Sequence, residues 1–147
     1  MGFTLQDIDD LLGATMVDKE GAKVGKVEDA FLDRQTGRPA WAAVKTGLFG
    51  HRHTLVPIAD AILNPNGEVQ IPFTKAQVKD APTIEPGEEL TPELERSMWE
   101  HYGIGGYDEW RGEDRTQGLG LADDAATPAT VRLRRVVVVA VVPADED

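Results

Sequence analysis

Between Gly13 and Thr46 three short apolar runs are separated by two turn signals, Asp18-Lys19-Glu20-Gly21 and the stretch from Asp33 to Pro39. Apolar runs this short, punctuated this closely by Asp, Gly and Pro, predict a small antiparallel β domain. Thr15 to Val17 reads as a first strand and Lys23 to Leu32 as a longer second one. Val24, Gly25 and Val27 interrupt strict alternation in the second strand. An interior glycine there predicts the bulge or sharp bend that a small barrel needs to close. Ala40 to Thr46 is a third strand, with Trp41, Ala43 and Lys45 on one face and Ala42 and Val44 on the other.

The β pattern continues past this block. His53 to Pro57 reads as a strand ending at an edge-tolerant proline. Asn64-Pro65-Asn66-Gly67 is a strong turn signal, and Val69 to Ile71 is the next strand. Two helices flank the strands. At the start, Thr4 and Asp7 form a capping-box-like pair ahead of Leu5, Ile8, Leu11 and Leu12, which share a helical face. Further on, Thr91 is an N-cap followed by Pro92 at the first helical position, with Glu93 and Glu95 in the first turn. Leu90, Leu94, Met98 and Tyr102 repeat every four residues and form one stripe, read as packing on the barrel, and Gly103 ends the helix. From Gly105 the pattern dissolves into Gly, Asp, Glu and Ala, and a flexible tail is expected. It ends in Val131-Arg132-Leu133-Arg134-Arg135 and the run Val136 to Val142, whose high β propensity suits pairing with a sheet edge in this molecule or another.

Composition narrows the classes of function. The chain has 147 residues, enough to bury a core without staples. It carries 26 acidic and 15 basic side chains, a formal charge of −11. An acidic surface repels phosphate backbones, so direct nucleic-acid binding is disfavoured and basic protein partners are easier. No basic run of useful length occurs in the sequence. Cysteine is absent, which removes disulfides, thiolate catalysis and cysteine-ligated metals. No apolar stretch approaches the roughly 20 residues that span a bilayer. The start, Met1-Gly2-Phe3-Thr4, has neither a basic region nor an apolar core, so no secretory signal is expected and the cytoplasm is the expected compartment.

The ordered set Gly13, Val17-Asp18, Gly21, Val24-Gly25, Val27, Asp33, Thr36-Gly37, Pro39, Trp41 and Val44 resembles the PRC-barrel domain. The resemblance continues through Thr46-Gly47-Leu48-Phe49-Gly50, Val56-Pro57, Val69-x-Ile71-Pro72-Phe73 and Val78-Lys79-Asp80-Ala81-Pro82. The helix ending at His101-Tyr102-Gly103 is similar to the extension of a bacterial, stand-alone branch of that family. The resemblance implies a mainly β fold: a small, strongly bent antiparallel barrel with a short N-terminal helix, a C-terminal helix and a flexible tail. The expected division is 1–12, 13–86, 87–104 and 105–147. The family includes the cytoplasmic domain of the photosynthetic reaction-centre H subunit and the C-terminal domain of ribosome-maturation factors of the RimM type. In both settings it implies a docking module rather than a catalyst.

The chemistry-bearing residues agree with that expectation. Ser97 is the sole serine and lies inside the predicted helix, away from any strand-to-helix elbow. His51 and His53 alternate, would share a face on a strand and are the candidates for a metal; Asp18, Glu20, Glu28, Asp29 and Asp33 lack the regular spacing of a calcium loop. Gly47-x-x-Gly50 lacks the lysine and following helix of a phosphate loop. Aromatic and apolar side chains are the better lead, because aromatics dominate interface hot spots. The interaction candidates are Trp41, Leu48, Phe49, Trp99 and Tyr102. The expected protein is thus a non-enzymatic, cytoplasmic interaction module without a cofactor, forming a homodimer or binding a protein partner through the barrel surface. Two alternatives stand beside it. One is an assembly factor for ribosomal or other RNA–protein particles acting through a basic protein; the other is a small-ligand or metal-binding protein.

Overall fold

The computed structural model describes residues 2–47 and 51–137. A 3-10 turn at Leu5–Asp7 runs into the short helix α1 (Ile8–Leu11). Its entry is held by the Asp7 carboxylate, which accepts from the Thr4 N–H at 2.7 Å. Strands β1 (Thr15–Val17), β2 (Lys23–Asp33), β3 (Arg38–Lys45) and β4 (His53–Pro57) follow. Next come β5 (Ile62–Leu63), β6 (Val69–Gln70), helix α2 (Lys75–Lys79) and β7 (Thr83–Ile84). Helix α3 (Pro92–His101), a second 3-10 turn at Tyr107–Glu109 and strand β8 (Leu133–Arg135) complete the described elements. Thr91 caps α3 as its sequence predicts, accepting from the Leu94 N–H at 3.1 Å. No helix among the described residues is long and apolar enough to cross a membrane.

The eight strands of the described residues form one mixed sheet in the order β5-β6-β1-β2-β3-β4-β7, with β8 added to β2. Two features differ from the expected antiparallel barrel. β1 and β6 pair in parallel, with Met16 opposite Val69, and no hydrogen-bonded pairing of β5 with β7 closes the sheet. The parallel pair arises because the chain leaves β4, makes the β5–β6 hairpin and returns along β1 in the same direction. Bending is concentrated in β2, whose register against β3 shifts between Val27 and Asp29 and again between Phe31 and Leu32. Gly25 has an ordinary backbone conformation, and its role is close approach. A Cβ there would stand 2.3 Å from the Lys45 carbonyl oxygen, so β2 and β3 could not meet at that point around any other residue.

Both faces of the central strands are buried, and the period of two sorts their side chains. Ala30 and Leu32, Ala42 and Val44, and Val56 join one core cluster, which also takes Met16, Ile71 and the α1 residues Ile8 and Leu11. Phe31, Trp41, Ala43 and Leu55 join the other, beneath Leu90, Met98, Trp99 and Tyr102 of the α3 region. The α3 stripe therefore packs on the sheet as its spacing predicts, with Leu94 partly buried at its margin.

The segment after Ile104 departs from the expected flexible tail, since its described part, 105–137, is folded onto the barrel. β1 accompanies β2 only between Lys23 and Lys26. Because β3 holds the opposite edge, the rest of this edge is open until β8 occupies it, pairing Phe31 with Arg135 and Asp33 with Leu133. The Val136 N–H extends the ladder to the Ala30 carbonyl at 2.9 Å. Arg132 makes two hydrogen bonds to the Asp33 carboxylate, at 3.0 and 3.1 Å, and its guanidinium lies 5.2 Å from the Trp99 ring centroid. Arg34 donates to the carbonyls of Val131 and Leu133 at 2.7 and 2.8 Å and pairs with Asp114 at 3.0 Å. Arg135 pairs with Asp124 at 2.9 Å. The physical reason is charge pairing at long range in sequence. A polar, aperiodic segment lacks the apolar period of an ordered element, yet its carbonyls and carboxylates find fixed guanidinium partners. Residues 138–142 of the valine run lie outside the described residues.

Glu95 anchors this docking from α3. It is fully buried. One carboxylate oxygen accepts from the Arg132 N–H at 2.8 Å and the Tyr107 hydroxyl at 2.6 Å, and the other accepts from the Leu133 N–H at 2.8 Å. Burial pushes its carboxyl above the ordinary range, against the pull of those three donors.

Candidate functional site

The aromatic residues singled out in the sequence come together, but inside the protein. Trp41, Trp99 and Tyr102 are 2%, 4% and 6% exposed, too little to meet a partner. Trp41 and Trp99 have ring centroids 5.1 Å apart, and Trp41 meets Tyr102 edge-on at 5.6 Å. Phe73 and Tyr107 extend the cluster, each at 5.0 Å. The Tyr102 hydroxyl donates to the Leu55 carbonyl at 2.9 Å, and burial raises its pKa beyond the ordinary phenol range. These three side chains join α3 to the sheet and are not surface anchors; an α3 packed over β3 removes Trp41 from solvent. Leu48 and Phe49 lie outside the described residues.

The histidines do not converge. His51 is exposed, with Nε2 3.4 Å from a Glu85 carboxylate oxygen. His53 is buried in β4, and its Nδ1 has no hydrogen-bond partner among the described residues. His101 is hydrogen-bonded through Nε2 to the Gln77 carbonyl at 2.7 Å. Among the described residues no three side chains of His, Cys, Asp or Glu are grouped to hold a metal ion.

Two surface features of the described residues concern the barrel sheet, and neither was apparent from the sequence. The first is β5, one of the two terminal strands of the sheet. Ile62 is 50% exposed and Leu63 39%, so both faces of β5 present an aliphatic side chain to solvent. Ile62 forms a wall shared by two shallow hollows. One, of about 230 Å³, runs along Ile71 and Pro72, and the other, of about 240 Å³, along Phe3 and Ala61. An Ala-Ile-Leu-Asn stretch gives too short an apolar pattern to mark an edge strand, so only the sheet order exposes it.

The second feature is a groove of about 420 Å³ lined by Lys23, Lys26, Lys45 and Lys75. Gly25 and Gly47 border it without side chains to fill it. Lys26 and Lys45 are direct cross-strand partners between β2 and β3. Lys75 opens α2 and is positioned by Asp18. One Asp18 oxygen accepts from the N–H groups of Glu20 and Ala22, at 2.9 and 2.8 Å, and the other from that of Lys75 at 3.0 Å. The Ala22 N–H foremost, with those of Lys75 and Glu20, holds this carboxyl below its usual range against the opposing effect of burial. These four lysines are scattered over 53 positions of sequence, from 23 to 75. No run of basic residues signals them, and folding alone brings them to one groove.

Against known families, the PRC-barrel domain matches residues 4–78, from the N-terminal cap of the first helical turn to α2. That span holds β1 to β6, the terminal strand β5 and all four groove lysines. No curated protein matches the chain.

Proposed function

Because the chain belongs to the PRC-barrel domain family, matched over just more than half of its length, we propose that it is a non-enzymatic module that associates with a second copy of itself through the β5 edge. PRC-barrel domains are protein-interaction-type domains, and the family is generally non-catalytic. The observation that carries the reading is the adjacent pair Ile62 and Leu63, exposed on the terminal strand of the sheet. An edge strand offers unpaired backbone donors and acceptors, and its alternate side chains select what pairs with it. Two such edges related by a two-fold axis pair antiparallel, the isologous arrangement usual in homodimers. The hollows on either side of Ile62 give the aliphatic side chains of the second copy a place to insert.

Each copy carries a charge of −11, so association works against mutual repulsion and strengthens as salt is added. Sedimentation analysis of the full chain is expected to show a dimer, with affinity rising with ionic strength. Ile62→Lys together with Leu63→Lys is expected to give a monomer with an unchanged circular dichroism spectrum. A wild-type protein that stays monomeric at high concentration and high salt overturns the reading. So does a dimer indifferent to both substitutions.

A further inference from the structure

We propose that the groove formed by Lys23, Lys26, Lys45 and Lys75 docks a short acidic segment of a partner protein. The proposal rests on the reading of this chain as an interaction module and names the chemistry of one partner. Four of the six lysines in the sequence line this single groove. The chain's formal charge is −11; without these four it is −15, so the groove is a positive island on an acidic body. No lysine of the groove makes an ion pair within 4 Å among the described residues.

The arrangement also works against the fold. Lys26 faces Lys45 directly across the β2–β3 ladder and Thr15 across the β1–β2 ladder, with no carboxylate at either position. Side chains so placed have Cβ atoms about 5 Å apart, and like charges there destabilise a sheet. A neutral or acidic residue at either position would favour folding, so the pair is accounted for by something the lysines bind.

The form of the groove selects among anions. Among the described residues that line it there is no arginine, so it offers no forked guanidinium to fix a phosphate geometrically. Its flexible ammonium groups suit a ligand of loose geometry and distributed charge, as along a chain of Asp and Glu side chains. The chain's net charge of −11 repels an extended polyanion, and so favours a short segment over a nucleic acid or an anionic membrane.

The test is fluorescence anisotropy of a fluorescein-labelled octaglutamate peptide with the full chain, with inorganic tripolyphosphate and a single-stranded oligonucleotide as competitors. Saturable binding that weakens with added salt is expected. Lys26→Gln with Lys45→Gln is expected to weaken it roughly 2- to 30-fold, the worth of two exposed charge pairs. The same double variant is expected to melt no lower than wild type, because a repulsion is removed; an identical loss caused by unfolding would lower the melting temperature. Absence of peptide binding overturns the proposal, as does equal binding by the double variant. Stronger binding of tripolyphosphate or of the oligonucleotide than of the peptide overturns it as well. Sedimentation of the same variant separates the two readings. A dimer retained while peptide binding is lost bears on the groove alone, and a monomeric wild type that still binds peptide refutes only self-association through β5.

Discussion

Replacing Glu95 tests whether the segment after Ile104 is part of the folded domain. The carboxylate is fully buried and satisfies two main-chain donors of the docked segment, Arg132 and Leu133, together with the Tyr107 hydroxyl. In Glu95→Gln the side-chain amide keeps one oxygen. The favoured orientation sets that oxygen toward Arg132 and Tyr107, leaving the NH₂ group against the Leu133 N–H. One buried donor is then orphaned, a cost of about 1–3 kcal/mol. Glu95→Ala orphans all three donors and opens a cavity, for about 3–6 kcal/mol, a large part of the roughly 5–15 kcal/mol that holds a domain of this kind together. Urea unfolding followed by tryptophan fluorescence reads the loss, since Trp41 and Trp99 lie in the core that this segment covers. Amide hydrogen exchange reads its place: protection at residues 132 and 133 is expected to fall first in the glutamine variant, ahead of that in β3. If the alanine variant loses less than about 1 kcal/mol and exchange at 132 and 133 is unchanged, the segment is not held by Glu95 and the docking argument fails. A chain ending at Ile104 gives a second reading. It uncovers the β2 edge from Ala30 to Asp33 as well as Trp99, and is expected to be less stable than the glutamine variant.

Two further outcomes follow from the geometry. Gly25→Ala would place a methyl group 2.3 Å from the Lys45 carbonyl, forcing β2 and β3 apart; a loss of at least about 2 kcal/mol in urea unfolding is expected, and an unchanged midpoint would refute the close-approach role. Acid should loosen the docked segment. In Asp114 and Asp124 desolvation is outweighed, by Thr116 and Arg34 for the first and chiefly by Arg135 for the second, so both folded pKa values lie below the ordinary range. A depressed carboxyl contributes stability above its unfolded pKa and loses it as pH falls through the folded value, whereas Glu95, raised by burial, loses its share as pH rises through its own. The urea midpoint should fall as pH drops below about 4, and equal midpoints there and at neutral pH would count against the pairing.

Much of the barrel was legible because its signals are local. The turn at Gly21, the strand from His53 to Pro57, the capping Thr91 with Pro92 and the alternation of Trp41 and Ala43 against Ala42 and Val44 each depend on neighbours a few residues away. The parallel pairing of β1 with β6 was not legible, since it depends on where the chain returns after a hairpin. Nor was the burial of Trp41, Trp99 and Tyr102. An aromatic on a strand or helix looks the same in sequence whether a partner or its own chain covers it, and here α3 covers it.

The sequence by itself determined the turns, caps and two-residue alternation of a PRC-barrel, along with an acidic charge that speaks against phosphate backbones. Only the tertiary structure decided that Arg34, Arg132 and Arg135 pair inward and hold the last described segment in place, that Ile62 and Leu63 face solvent on the terminal strand, and that four separated lysines share a groove. The division has one physical cause. Hydrogen-bonded turns and backbone propensities act over a few residues and leave a readable pattern, whereas ion pairs and surface patches join residues up to 99 positions apart, as Asp33 and Arg132 are, at distances that folding alone sets.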